Sequence, residues 1–164
     1  MVMNRRTTVL GPLKRAHGAA RGLSDEVLRP YGLSTAQYTV LRYVADHPGV
    51  SGAALARLIG VTPATMTAML AALEKDGRVE RTPDPAGGRS LQTTMTPQAE
   101  ELLEQVWPAL QWLEEQLLHG IDAADREAFL RVLDRIVARQ AELLAPPRLG
   151  PSPQAENLNN PERT

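Results

Sequence analysis

The sequence contains no cysteine. This absence excludes a disulfide framework, a thiolate metal site and a thiol-based redox sensor, and it fits a reducing compartment. Long apolar runs are also missing, because no stretch approaches the roughly 20 residues that a membrane-spanning helix needs. Arg5 and Arg6 lie near the N-terminus, but the apolar segment of a secretory signal does not follow them. We therefore expect a soluble, cytoplasmic protein.

Residue patterns that carry catalysis or hold a cofactor are lacking as well. The three histidines, His17, His47 and His119, are too far apart for metal-ligand spacing, and no nucleophile motif surrounds them. No glycine-rich phosphate loop follows a strand pattern. We therefore expect no enzymatic activity, no metal and no cofactor.

The charge pattern leaves two classes of binding protein open. The 164 residues allow one domain with tails, and their formal net charge is −1. The charged residues are mostly basic over 1–29 and mostly acidic over 100–144, whereas acids and bases are close to balance over 51–95. Phosphate contacts supply most of the affinity for nucleic acid, so this balance also fits a protein-interaction module.

Residues 62–77 predict a helix with a signal at each end. Thr62 can cap the first amides, Pro63 suits the first helical position, and Gly77 suits a left-handed stop. An apolar face is formed by Met66, Met69, Leu70 and Leu73. The other face is short and uncharged near its start, with Ala64, Thr65, Thr67 and Ala68. Such a helix can enter a DNA major groove, or it can be an ordinary core helix with exposed threonines.

A second, shorter helix precedes it after a tight turn. Ser51 is its predicted N-cap, the helix covers 52–58, and Gly60 ends it. We expect Ala54, Leu55 and Leu58 to face inward. Two helices joined so closely are typical of a helix-turn-helix, although paired short helices also occur in proteins that do not bind DNA.

A β-hairpin is predicted directly after this pair. The strands cover 78–82 and 90–95, and the loop 83–89 is rich in proline and glycine. A hairpin in this position is a wing, and Arg89 is placed to reach a minor groove. The alternative for Arg89 is a solvated loop arginine.

Four further helices frame this region. Helices are predicted over 10–29, over 35–46 behind a Ser34–Gln37 capping box, over 97–119, and from an Asp122 cap to 144. Pro108 lies inside the third of these, where it predicts a bend.

These segments, in this order, closely resemble the MarR family of winged helix-turn-helix regulators over about residues 10–144. The matching stretches are 33–38, 40–41, 54–61, 73–77, 79–81, 83–85, 87–90 and 95–96. The resemblance implies a mainly α fold with a small β-hairpin wing, in which a winged helix-turn-helix domain joins a helical dimerisation region. It implies a dimerisation helix over 10–32, a DNA-binding lobe over 33–96 and dimerisation helices over 97–144. The residues outside this region predict a flexible N-terminus over 1–9 and, from its prolines, a disordered tail over 145–164.

The resemblance also implies a function. It suggests a homodimeric, ligand-responsive repressor that binds double-stranded DNA at a pseudo-palindromic operator and needs no membrane. The implied DNA contacts are Ser51, Thr62, Pro63, Ala64, Thr65, Thr67, Arg81, Arg89 and Ser90. The alternative is a winged-helix dimer that acts as a protein-interaction adaptor.

By the same resemblance, a small aromatic or phenolic effector would bind where the dimer helices meet the DNA-binding lobe. The implied pocket residues are His17, Arg21, Tyr38, Arg42, Trp107 and Trp112. A cation beside an aromatic wall suits an anionic aromatic ligand. The alternative is that these side chains serve packing or an interface.

Two departures from the family pattern affect the DNA contacts. Gly87 stands where relatives commonly carry a wing aspartate, and Ala68 stands where many carry an arginine in the recognition helix. Without Arg or Lys in the first three turns, bidentate readout of guanine by this helix is excluded. We therefore expect specificity to depend on threonine contacts, thymine methyl groups and minor-groove shape.

Overall fold

A computed structural model describes residues 8–85 and 90–144, with no side-chain description for residues 141 and 144. Most of the N-terminus predicted to be flexible, the wing residue Arg89 and the tail 145–164 lie outside the described residues. Six helices are present in the described part: α1 (Leu10–Leu28), α2 (Thr35–Asp46), α3 (Gly52–Ile59), α4 (Pro63–Lys75), α5 (Pro97–Leu117) and α6 (Ala123–Leu144). A single 3₁₀ turn, Arg29–Tyr31, follows α1. The mainly α fold with a small wing is confirmed.

Three short strands form one antiparallel sheet in the described part of the chain. They are β1 (Val50–Ser51), β2 (Val79–Pro83) and β3 (Leu91–Met95), in the order β1-β3-β2. The hairpin β2–β3 was predicted, whereas β1 was not. The amide of Asp84 donates to the carbonyl of Ser90 at 3.1 Å and closes the hairpin ladder toward its loop.

The predicted helix ends are confirmed where their signals are local. Ser34 Oγ accepts the Gln37 amide while the Gln37 side chain accepts the Ser34 amide, so both parts of the capping box form. Thr62 caps α4, and Asp122 Oδ1 accepts the Asp125 amide at 2.8 Å at the start of α6. Gly60 ends α3 with a φ of 77°, a conformation that favours glycine.

The core lies where α1, α2, α3, α4, β2 and α5 meet. The largest side chains that are almost completely buried there include Leu28, Leu41, Leu55, Met66, Leu70, Leu73 and Val106. The expectation for Leu58 was wrong, because its side chain is 48% exposed. The inward face of α3 instead carries Leu55 and Ala56, with Ile59 packed against the core.

By its internal contacts the chain divides into two units, of which the first ends at Leu117 and the second begins at Leu118. In the first unit α1 packs against α2 and α5. In the second unit α6 exposes large apolar side chains, among them Phe129, Leu130, Val132, Ile136 and Val137. Such a row of exposed apolar side chains is typical of a surface that contacts another chain.

No single helix in the described ranges has the length and apolar character needed to cross a membrane. The helices α3 and α4 satisfy that test only when taken together, and they are bent by 114° at the break between them. Their apolar sides contribute Leu55, Met66, Leu70 and Leu73 to the protein core.

Candidate nucleic-acid interface

The helices α3 and α4 form a helix-turn-helix. Only residues 60–62 separate them, and the two helices are bent by 114° at this break. Helix pairs of this motif cross at about 90–120°. The left-handed Gly60 allows the sharp change of direction, and Gly60 and Val61 both donate to the carbonyl of Ala56 at 3.0 Å. The first half of α4 therefore follows directly from a hydrogen-bonded turn.

The first turns of α4 carry an exposed surface of small side chains, which we call the nose: Thr62, Pro63, Ala64, Thr65, Thr67 and Ala68. Thr62 Oγ1 accepts the Thr65 amide at 3.1 Å and lies 2.8 Å from Thr65 Oγ1. Thr67 Oγ1 donates to the carbonyl of Pro63 at 2.9 Å. The nose is uncharged, so it offers methyl groups and hydroxyls but no cation. Ser51 lies nearby along the chain as the N-cap of α3, where its hydroxyl accepts the Ala54 amide at 3.2 Å.

The hairpin places the other predicted DNA contacts in different settings. Ser90 is exposed immediately before β3, and Arg89 lies outside the described residues. Arg81, in contrast, is largely covered: its side chain is 18% exposed, and its Nη1 lies 3.9 Å from Glu74 Oε2 at the end of α4. Arg57, in the last turn of α3, is an exposed cation of this lobe that the sequence patterns did not single out.

A cavity of about 420 Å³ lies between α2 and α5. It is lined by Tyr38, Arg42, Ala45, Met95, Glu100, Leu103, Glu104 and Trp107. Three of the six residues predicted to contact an effector, Tyr38, Arg42 and Trp107, thus line one cavity. The other three do not line it: His17 is exposed on α1, Arg21 lies 3.7 Å from Asp25, and Trp112 is 58% exposed.

The cavity is lined by apolar, neutral polar, cationic and acidic side chains. Burial raises the pKa of the Tyr38 phenol, and the nearby charge of Arg42 partly opposes that shift. Tyr38 is therefore a neutral hydroxyl at physiological pH, able to donate or to accept a hydrogen bond. Arg42 lies 3.7 Å from Asp46, and two carboxylates, Glu100 and Glu104, share the lining. These glutamates were not predicted, although they lie four residues apart on α5 and thus on one helix face.

The described ranges contain no group of three or more histidine, aspartate, glutamate or cysteine side chains that could hold a metal ion.

Comparisons with known proteins place these features in a family. The family model described as MarR family matches residues 31–90, from the end of the 3₁₀ turn after α1 to the residue before β3. The HTH-type transcriptional repressor Rv2887 of Mycobacterium tuberculosis is 31% identical over 124 residues, which are 76% of this chain and 89% of that protein.

Two solved structures that hold DNA are similar to this chain. A mutant MarR from E. coli in complex with operator DNA is 25% identical, with a TM-score of 0.72 over 77% of this chain and 92% of that chain. The transcriptional repressor CouR, from Rhodococcus jostii RHA1, bound to a 23-mer DNA duplex is 27% identical, with a TM-score of 0.74 over 79% of this chain and 92% of that chain.

Proposed function

This chain belongs to the MarR family of transcriptional regulators, and we propose that it represses transcription by binding a specific pseudo-palindromic operator as a homodimer. Members of this family are transcriptional regulators and not enzymes. The observation that carries the proposal is the exposed nose of α4 on a 114° helix pair. Its small side chains let the helix backbone approach base edges in the major groove closely. The similar structures of MarR and CouR, which both hold DNA, support this placement.

The homodimer is supported by the exposed apolar side chains of α6, which include Phe129, Val132 and Val137. Covering them with a second copy would remove apolar surface from water, a favourable contribution of about 25 cal/mol per Å² before the entropic cost of association is subtracted. A two-fold dimer presents its recognition helices to successive major grooves, roughly 34–36 Å apart. The operator should therefore contain two inverted half-sites about one helical turn apart.

We also propose that the cavity between α2 and α5 binds a small aromatic effector that weakens DNA binding. Trp107 and Leu103 provide an apolar wall, and Tyr38 and Arg42 provide hydrogen-bonding groups. Because Glu100 and Glu104 share this lining, a phenol with at most one negative charge fits better than a multiply charged anion. Effector binding between α2 and α5 would act on the lobe that carries α4.

Selection from a random duplex pool tests the DNA-binding proposal. The full chain should enrich a sequence with inverted half-sites, and the enriched duplex should bind two chains when measured by analytical ultracentrifugation. Aromatic acids and phenols can then be screened for release of the labelled duplex, with Trp107→Ala as the variant expected to lose the response. Failure to enrich any sequence would contradict the proposal.

A protein-interaction adaptor is the second candidate. The observation that favours it is the near balance of acidic and basic residues over 51–95, which provides little attraction to phosphate. Retention on heparin that salt reverses is expected of the DNA-binding protein. Passage through the column without retention would favour the adaptor.

A further inference from the structure

We infer that Arg81 is a positioning residue, which holds the hairpin β2–β3 against the last turn of α4 and does not itself contact DNA. The inference rests on the proposed DNA-binding function, because it concerns how the nose and the wing are kept in one orientation. It assigns Arg81 a role different from the wing contact that the family resemblance implies.

Arg81 is a largely buried cation with an acidic neighbour. Its side chain is only 18% exposed, and its Nη1 lies 3.9 Å from Glu74 Oε2. A cation that neutralises a DNA phosphate has to reach the surface of the protein. Here the guanidinium is instead covered and paired with a carboxylate, so it contributes little positive charge to the DNA-facing surface.

The register of the hairpin shows why Arg81 points this way. Arg81 pairs with Thr93 across the antiparallel ladder, and Thr93 is completely buried. Side chains directly opposite each other in such a ladder project to the same face of the sheet. Arg81 therefore lies on the inner face, whereas its neighbours Glu80 and Thr82 are exposed on the other.

The ion pair of Arg81 and Glu74 adds a polar contact between α4 and β2, which a short turn already connects. Residues 76–78 join α4 to β2, and Gly77 has a φ of 67°. Hydrogen bonds brace this turn, from the Arg78 amide to the Leu73 carbonyl at 2.9 Å and from Thr96 Oγ1 to the Gly77 carbonyl at 2.8 Å. Glu74 and Arg81 lie on either side of the turn and line an open cleft of about 750 Å³ with residues of the start of α5. Their contact thus links the end of the recognition helix to the middle of β2 beyond the turn.

Hydrogen exchange without DNA tests the contact directly. In full-length Glu74→Gln and Arg81→Gln variants, amides of β2 and β3 should exchange several-fold faster than in the wild type, while the amides of α6 are unchanged. The matched control is Asp46→Asn, which removes a carboxylate 3.7 Å from Arg42 within a single helix and should leave β2 and β3 unaffected. Exchange of β2 and β3 at the wild-type rate in both variants would overturn the inference.

Binding to the selected operator then separates positioning from phosphate contact. If the variants lose only a partly exposed ion pair, each single variant should bind about twofold to fivefold more weakly, and the double variant should be no weaker than either single variant. The salt slope, which is the slope of log affinity against log salt concentration, should be unchanged. If Arg81 contacts a phosphate, Arg81→Gln should reduce the salt slope by about 0.9, and Glu74→Gln should strengthen binding by removing an acid near DNA. That pattern would overturn the inference. If the wild-type chain selects no duplex, the proposed function is contradicted but the positioning role of Arg81 is not. The hydrogen-exchange result then still decides whether the contact positions the hairpin.

Discussion

Replacing Thr65 and Thr67 separately by valine should have unequal effects on operator binding, because their hydroxyl protons have different partners. Thr67 Oγ1 donates to the Pro63 carbonyl at 2.9 Å, so its proton is already used within α4. Thr62 and Thr65 share one hydrogen bond of 2.8 Å between their two hydroxyls, which leaves one proton of the pair available. Either hydroxyl can be the donor of this shared bond, and Thr62 Oγ1 also accepts the Thr65 amide at 3.1 Å. We predict that Thr62 donates the shared proton when DNA is bound, so that the proton of Thr65 is available to the operator. Thr65 is then the hydroxyl donor of the nose.

The size of the effect follows from one neutral hydrogen bond. Its net contribution is about 1 kcal/mol, which corresponds to a roughly fivefold change in the dissociation constant. Thr65→Val should therefore weaken operator binding about fivefold, and Thr65→Ser should retain most of the affinity. Thr67→Val keeps a methyl group at the exposed position and should change the affinity less than about twofold, since it removes only a bond within the helix.

Fluorescence anisotropy with the selected duplex measures these affinities, and circular dichroism checks that each variant keeps its helix content. Replacing single thymines of the half-site by uracil removes one methyl group each and should cost about fourfold at a position that contacts the nose, from about 0.8 kcal/mol per buried methyl group. Equal losses for Thr65→Val and Thr67→Val, or a larger loss for Thr67→Val, would refute the assignment of the donor.

Three further predictions concern the wing, the α1–α2 junction and the core. Arg89→Ala should reduce the salt slope of operator binding by about 0.9, so that affinity falls about 3.5-fold less between 50 and 200 mM salt; an unchanged slope would contradict a minor-groove role. The pKa of Asp25 is held below its ordinary value of 3.8, chiefly because the Thr35 amide donates to Asp25 Oδ1 at 2.7 Å. The Thr35 side chain and the positive charge of Arg21 make smaller contributions in the same direction. The ionised Asp25 carboxylate therefore stabilises the fold fully above pH 3.8, and this stabilisation is lost as the pH falls through the lowered pKa. In thermal melts, Asp25→Asn should be less stable than the wild type at pH 7, and the difference in melting temperature should shrink in acid. Leu70 is completely buried, and Leu70→Ala should lower the free energy of unfolding in urea by about 2–5 kcal/mol; a loss below about 1 kcal/mol would contradict its place in the core.

The helices could be predicted from sequence because their signals are local. The capping box of Ser34 and Gln37 and the Thr62–Pro63 start lie within one turn of the helices they open. The two-residue strand β1 could not be predicted in this way, because it is defined only by pairing with β3, which lies far along the chain. The error at Leu58 has a related cause: in an eight-residue helix the apolar pattern does not by itself decide which neighbours are covered.

The same difference between local signals and long-range pairing applies to the site residues. Tyr38 and Arg42 lie four residues apart on one helix, so their meeting at one cavity follows from helical spacing. The direction of Arg81 depends on the register of β2 against β3 and on the position of Glu74, which the sequence pattern does not provide. A one-residue change of register would turn Arg81 to the other face of the hairpin.

Specific recognition of DNA by this regulator can be measured by titrating the full chain into labelled intergenic DNA that flanks its own coding region. The control is a scrambled duplex of equal length and composition. We expect saturable binding of two chains to the native fragment, at protein concentrations at which the scrambled duplex stays unbound. Equal binding to both duplexes at low salt, lost together as the salt rises, would contradict specific recognition of that DNA and would favour the adaptor.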